Sequence, residues 1–138
     1  MRYLVDANVL SEATKPAPTP KVLLWLRKHE ALLAVDPIIL GELRFGILLL
    51  SEGKRKKHLE LWFSEGIRRI NCLAWDSAVG MRWSQLLADL RKTGKTMPIK
   101  DSMIAATALT HKLVVATHNT GDFANAGVQQ IDPFEADS

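Results

Sequence analysis

Asp6, Glu42, Asp101 and Asp122 keep unusual company for carboxylates, because each lies within or just beyond an apolar run. Asp6 closes Tyr3-Leu4-Val5, and Glu42 lies inside Ile38-Ile39-Leu40-Gly41-Glu42-Leu43. Asp101 opens Asp101-Ser102-Met103-Ile104-Ala105-Ala106, and Asp122 follows Leu113-Val114-Val115-Ala116-Thr117 after a short polar turn. An unpaired buried charge is costly, and four converging carboxylates repel one another. A divalent cation removes that repulsion. An all-oxygen donor set suits small, hard Mg²⁺, with Mn²⁺ as an alternative, and such ions keep several waters. The chemistry available is activation of a water and neutralisation of charge on a phosphate.

Asp6 and Asp101 are expected to be the firmest ligands, since each starts or ends a regular element. Glu42 is longer and can bind directly or through water, whereas Asp122 sits in a turn. Asn8 is placed to hold Asp6 or a ligand water, and Thr117 and Asn119 to orient a carboxylate or a phosphate. Each acid alone also has a plain structural role. Asp101 can cap a helix, Glu42 can face solvent, Asp122 can make a turn and Asp6 can accept from backbone amides. The functional expectation therefore rests on the four acting together.

The elements that must bring them together follow from the pattern of the chain. Residues 2–6 read as a buried strand and residues 8–14 as a helix ended by Pro16-Ala17-Pro18. Thr19-Pro20 combines a cap with a proline at the first helical position, starting a helix to about His29. A strand at 32–35 follows. Asp36-Pro37 repeats the start signal for a helix to about Ser51, closed by Gly53. A helix over 55–67, a strand over 70–74, a helix capped by Asp76 to about Lys92, a loop over 93–98 and a helix over 100–111 come next. The chain ends with a strand over 113–116, a turn over 119–122 and an edge strand over 127–131. Strands alternating with helices predict a three-layer α/β/α domain with a central parallel sheet of four to five strands. Ligands of such sheets bind outside the carboxyl ends of the strands. Asp6 and Asp122 follow strands and Glu42 and Asp101 lie within the first two turns of helices, so all four belong on one rim.

Composition narrows the class. The 138 residues make one domain, 1–138, of ordinary hydrophobic (47%) and charged (24%) content. No apolar run approaches the roughly 18–20 residues of a membrane span. The first residues meet a carboxylate too early for a secretory signal. The lone Cys72 forms no internal disulfide, suits a reducing cytoplasm and reads as a small buried strand residue. An acidic pocket in a chain of net charge +3 suits a metal-using enzyme with a polyanionic substrate. Lys54-Arg55-Lys56-Lys57, Arg68-Arg69, Arg91, Lys92, Lys95 and Lys100 supply the positive charge.

Other chemistries lack their residues. The histidines show no zinc spacing with one another or with Cys72. There is no glycine-rich phosphate loop and no Gly-x-Ser-x-Gly elbow. The four tryptophans fall mostly on apolar helical faces and read as core or interface.

Four ordered segments resemble one family. Leu4-Val5-Asp6-Ala7-Asn8-Val9-Leu10-Ser11-Glu12, Gly41-Glu42-Leu43-Arg44-Phe45-Gly46, Asp101-Ser102-Met103-Ile104-Ala105-Ala106-Thr107-Ala108 and Ala116-Thr117-His118-Asn119-Thr120-Gly121-Asp122-Phe123 are similar to the motifs of PIN-domain proteins. The likeness is to the VapC/FitB-like ribonuclease toxins of bacterial toxin–antitoxin pairs. It implies a magnesium-dependent endoribonuclease, a homodimer, a small antitoxin partner and site acids at Asp6, Glu42, Asp101 and Asp122. Ala7 replaces a common threonine and Asp36 a common serine. Some relatives carry the fourth acid at the position of Asn119, so Asn119 and Asp122 compete for that role. Two rival readings stand beside the ribonuclease. One is an autoregulatory module that meets DNA only through its antitoxin; the other is a phosphatase or DNA nuclease on the same acids.

Overall fold

Three consecutive apolar residues, Tyr3–Val5, form the first strand, β1, and all are buried in the computed structural model, which describes residues 1–135. Burial on both faces marks a parallel strand covered by helices. The other strands are β2 (Leu33–Val35), β3 (Asn71–Cys72), β4 (Val114–Ala116) and β5 (Gln130–Ile131). They form one five-stranded sheet in the order β3-β2-β1-β4-β5, and every pair is parallel. In β1, Tyr3 pairs with Leu33 on one side and Val114 on the other. The connections carry α1 (Ala7–Glu12), α2 (Pro20–Lys28), α3 (Pro37–Leu48), α4 (Lys54–Leu61), α5 (Ser77–Lys92) and α6 (Ile99–His111). The expected α/β/α architecture is the one the chain adopts. Among the described residues no helix is long and apolar enough to cross a membrane.

The core gathers the apolar residue of each element. Leu4, Val5, Val9, Val22, Val35, Ile39, Val79, Ile104 and Val115 have no exposed surface, and each such side chain stabilises the fold by about 1.5–3 kcal/mol. Asp36 starts α3 as expected, accepting from the Ile39 amide at 2.9 Å. Its second oxygen accepts from the Thr107 hydroxyl of α6 at 2.7 Å, and both residues are fully buried. This bond fixes the start of α3 against α6. Two indole N–H groups tie α5 and the residue before its cap to α6: Trp83 donates to the Ser102 hydroxyl at 2.9 Å and Trp75 to the Met103 carbonyl at 3.1 Å. The start of α6 is thereby held against that segment.

Several expectations change. Cys72 is exposed, not buried, because β3 is an edge strand paired only with β2. β3 and β5 are each two residues long, shorter than expected, as edge strands often are. α3 stops at Leu48; Gly53, at φ 155°, begins α4 and does not close α3. The expected helix over 55–67 is regular only to Leu61, then widens over Trp62–Gly66 and tightens over Ile67–Arg69. Thr19 makes no side-chain cap. Its hydroxyl and amide instead donate to buried Glu12 at 2.8 and 2.9 Å, where a charged acceptor gives the stronger bond.

Candidate active site

The chain turns sharply after β1, and Asp6 at that turn serves as the N-cap of α1, accepting from the Ala7 amide at 2.9 Å. Its other oxygen accepts from the Thr117 hydroxyl at 2.8 Å and from the Asn8 amide group at 3.2 Å. Thr117 directly follows β4. Its oxygen also accepts from the Asn8 side chain at 3.3 Å and from the Asn119 amide at 3.0 Å. Asn8 in turn accepts from the His118 amide at 3.0 Å. One hydroxyl with one donation and two acceptances has its full capacity engaged. Asn8 and Thr117 therefore lock the ends of β1 and β4 together around one carboxylate.

Beyond that lock lies a cleft of about 470 Å³, bordered by Asp6, Asn8, Glu42, Lys100, Asp101, Asn119 and Asp122. All four acids expected on one rim line it. So do Asn119 and Asp122 together, in the turn that leads into Thr120–Phe123. Glu42 reaches the cleft from α3 and Asp101 from the first turn of α6. Asp101 does not cap that helix, whose preceding residue is Pro98. From the acids, the cleft continues between α1, α3 and α4 along Leu43, Gly46, Ile47, Leu50, Leu59 and Trp62, with Arg55 beside them.

The electrostatics are those of crowded carboxylates. Burial pushes Asp101 up to about 6, and the charges of Asp6, Asp122 and Glu42 push the same way against Lys100. Asp101 is 7% exposed, and no donor bonds its carboxylate among the described residues. Burial also raises Asp6; the Thr117 bond opposes this and the Glu42 charge adds to it. Glu42 bonds the ammonium of Lys100 through one oxygen, while Oε1 is buried without a hydrogen-bond partner. No three acidic, imidazole or thiol groups among the described residues converge tightly enough to hold an ion as they stand. The carboxylates line the cleft wall without closing on one point. The donors nonetheless fit a hard divalent cation. They are oxygens only, Asp101 is held up by burial and by its acidic neighbours, and one Glu42 oxygen is buried and unpartnered.

Sequence alone does not single out two groups, Lys100 in the cleft and Glu12 outside it. Lys100 counted only as surface charge, yet it borders the cleft; its place immediately before Asp101 was the available signal. In the sequence, Glu12 stands only as part of a motif. It is 3% exposed and held down to about 2 by Lys15 and by the Thr19 amide and hydroxyl, which pins the loop after α1.

A five-stranded parallel sheet flanked by helices matches the α/β/α fold of the PIN-domain toxins. The PIN domain model matches residues 3–128, and the chain belongs to that family. It is 35% identical to Toxin FitB of Neisseria gonorrhoeae over 138 residues, covering 95% of this chain and 97% of that protein. It is 32% identical to the VapC ribonuclease Y4jK of Sinorhizobium fredii over 136 residues, covering 96% and 97%. The crystal structure of FitAcB from Neisseria gonorrhoeae superposes with a TM-score of 0.87 at 33% identity, covering 97% of this chain and 99% of that one. Other matching structures are toxin–antitoxin complexes, several of them bound to DNA fragments.

Proposed function

We propose that the chain is a metal-dependent endoribonuclease, the toxin of a toxin–antitoxin pair, hydrolysing RNA phosphodiester bonds at Asp6, Glu42, Asp101 and Asp122. The observation that carries this reading is the meeting of all four acids on one cleft. Mg²⁺, or Mn²⁺ in its place, would be held by Asp6, Asp101 and Glu42, with Asp122 or Asn119 completing the set. When bound, it supplies charge neutralisation and an activated water.

The chain's own groups do the positioning. Thr117, Asn8 and the Ala7 amide hold Asp6 in one rotamer. The Trp83 and Trp75 bonds to α6 fix the turn that carries Asp101. Lys100 and Arg55 border the cleft as positive charges for a phosphate backbone. The apolar extension of the cleft along Leu43, Ile47, Leu50 and Leu59 is suited to an amphipathic antitoxin segment. Phe45, Leu48, Leu49 and Leu61 are large exposed apolar residues that a homodimer or an antitoxin would cover. Any DNA contact would come from the antitoxin, because the described residues present no helix-turn-helix or ribbon reader.

Asp6→Asn and Asp101→Asn test the reading. With Mg²⁺ present, each purified variant is expected to cleave RNA at least a hundredfold more slowly than wild type, on the order of the several kcal/mol a catalytic metal contributes. Wild-type rates in either variant would remove the assignment. Parallel assays on DNA and on small phosphate esters separate the ribonuclease from a DNA nuclease or a phosphatase. A gel shift of the isolated chain on DNA tests the autoregulatory reading, which requires tight sequence-specific binding without a partner.

A further inference from the structure

Of the ion pairs among the described residues, Lys100 with Glu42 is the one inside the acid cleft. Lys100 is the second residue of α6, immediately before Asp101, and reaches across to α3. Its ammonium bonds one Glu42 oxygen while the other oxygen is buried and unpartnered. The same ammonium lies close enough to Asp101 and Asp6 to act on their charges. Three acids thus share one cation that the chain itself supplies.

We propose that Lys100 is the resident counter-ion of the cleft, holding Glu42 until a divalent cation displaces it, and so setting the metal affinity of the site. The inference rests on the metal-binding reading above. It is carried by geometry: a monovalent charge occupies one oxygen of a ligand whose other oxygen is free. The two side chains are 47% and 31% exposed, so solvent weakens their attraction and leaves it displaceable. A divalent ion attracts the same carboxylate with twice the charge. Lys100 is therefore a positioning residue that acts through Glu42.

The test is the affinity of the full chain for Mn²⁺ alone, without RNA, read by the electron paramagnetic resonance of free Mn²⁺. With the competing ammonium gone, Lys100→Met is expected to bind Mn²⁺ more tightly, on the order of tenfold. Lys100→Gln should do the same and Lys100→Arg should stay close to wild type. A merely structural role would move affinity the other way, since a disturbed cleft binds metal more weakly. Met and Gln variants that melt like wild type but bind Mn²⁺ no more tightly would overturn the inference and leave the four-acid reading intact. A wild-type chain that binds no Mn²⁺ would overturn both.

Discussion

The Thr117 hydroxyl donates to the Asp6 carboxylate at 2.8 Å, joining residues 111 positions apart. The bond runs between the ends of the two neighbouring strands β1 and β4, so it sets the carboxylate where the sheet opens to solvent. Desolvation pushes Asp6 toward its neutral form, and this hydroxyl is the largest effect acting against it. Thr117 thus keeps Asp6 able to carry charge in an apolar setting.

Thr117→Val keeps the shape and removes the donor. The variant should lose about 1–3 kcal/mol of stability by leaving the Asp6 oxygen short of a partner. Divalent-ion affinity should fall roughly 10- to 100-fold, as for loss of a group that orients a ligand. Denaturant melts in chelator and a metal titration check the two effects. An unchanged affinity would show that Thr117 does not position Asp6.

The Asp101 carboxyl, raised from 3.8 to about 6, gives a pH dependence of definite sign. Around pH 5 it is mostly protonated in the folded, metal-free chain, and a metal must displace that proton. Divalent-ion affinity and cleavage should therefore rise between pH 5 and 7, then level off. Stability runs the other way. The folded state holds this proton more tightly than the unfolded state, so the contribution of Asp101 is present below pH 3.8 and is lost as pH climbs through about 6. Thermal melts in chelator should show Asp101→Asn removing that decline and raising the melting temperature at pH 7. A variant with the wild-type slope would refute the assignment.

Glu12 supplies the opposite case. Lys15 and Thr19 hold it down from 4.5 to about 2, so its contribution is full above pH 4.5 and disappears as pH falls toward 2. Glu12→Gln should lower the midpoint of urea unfolding at pH 7 and flatten its fall in acid. Proteolysis should then open the loop between α1 and α2 before the rest of the chain. Cutting elsewhere first would argue against Glu12 as the pin of that loop.

The sequence carried the frame well where local chemistry decides. Asp36-Pro37 marks the start of α3 because a capping carboxylate and a fixed φ act within one turn. The acids at the edges of apolar runs placed the cleft because an α/β rim gathers strand ends and helix starts. What escaped depends on lateral order in the sheet or on distant partners. Cys72 is exposed because β3 happens to be the edge strand, and no local pattern distinguishes an edge strand from a central one. The Thr19 hydroxyl turned to Glu12 because a buried carboxylate lies within reach, a fact of packing and not of spacing. Lys100 reads locally as solvated charge, and only the packing of α6 beside α3 gives it Glu42 as a partner.

The strand order has a consequence in time. β1 is flanked by β2, formed early in the chain, and by β4, which follows residue 113. A ribosome therefore releases Asp6 and Glu42 well before it has made Asp101, Thr117 and Asp122. Parallel pairing of distant strands comes late in folding, and domains form as the chain emerges from its N-terminal end. The cleft is therefore complete only once β4 and the turn after it have been made, and a polypeptide interrupted before α6 carries half of its acids and none of the β4 lock.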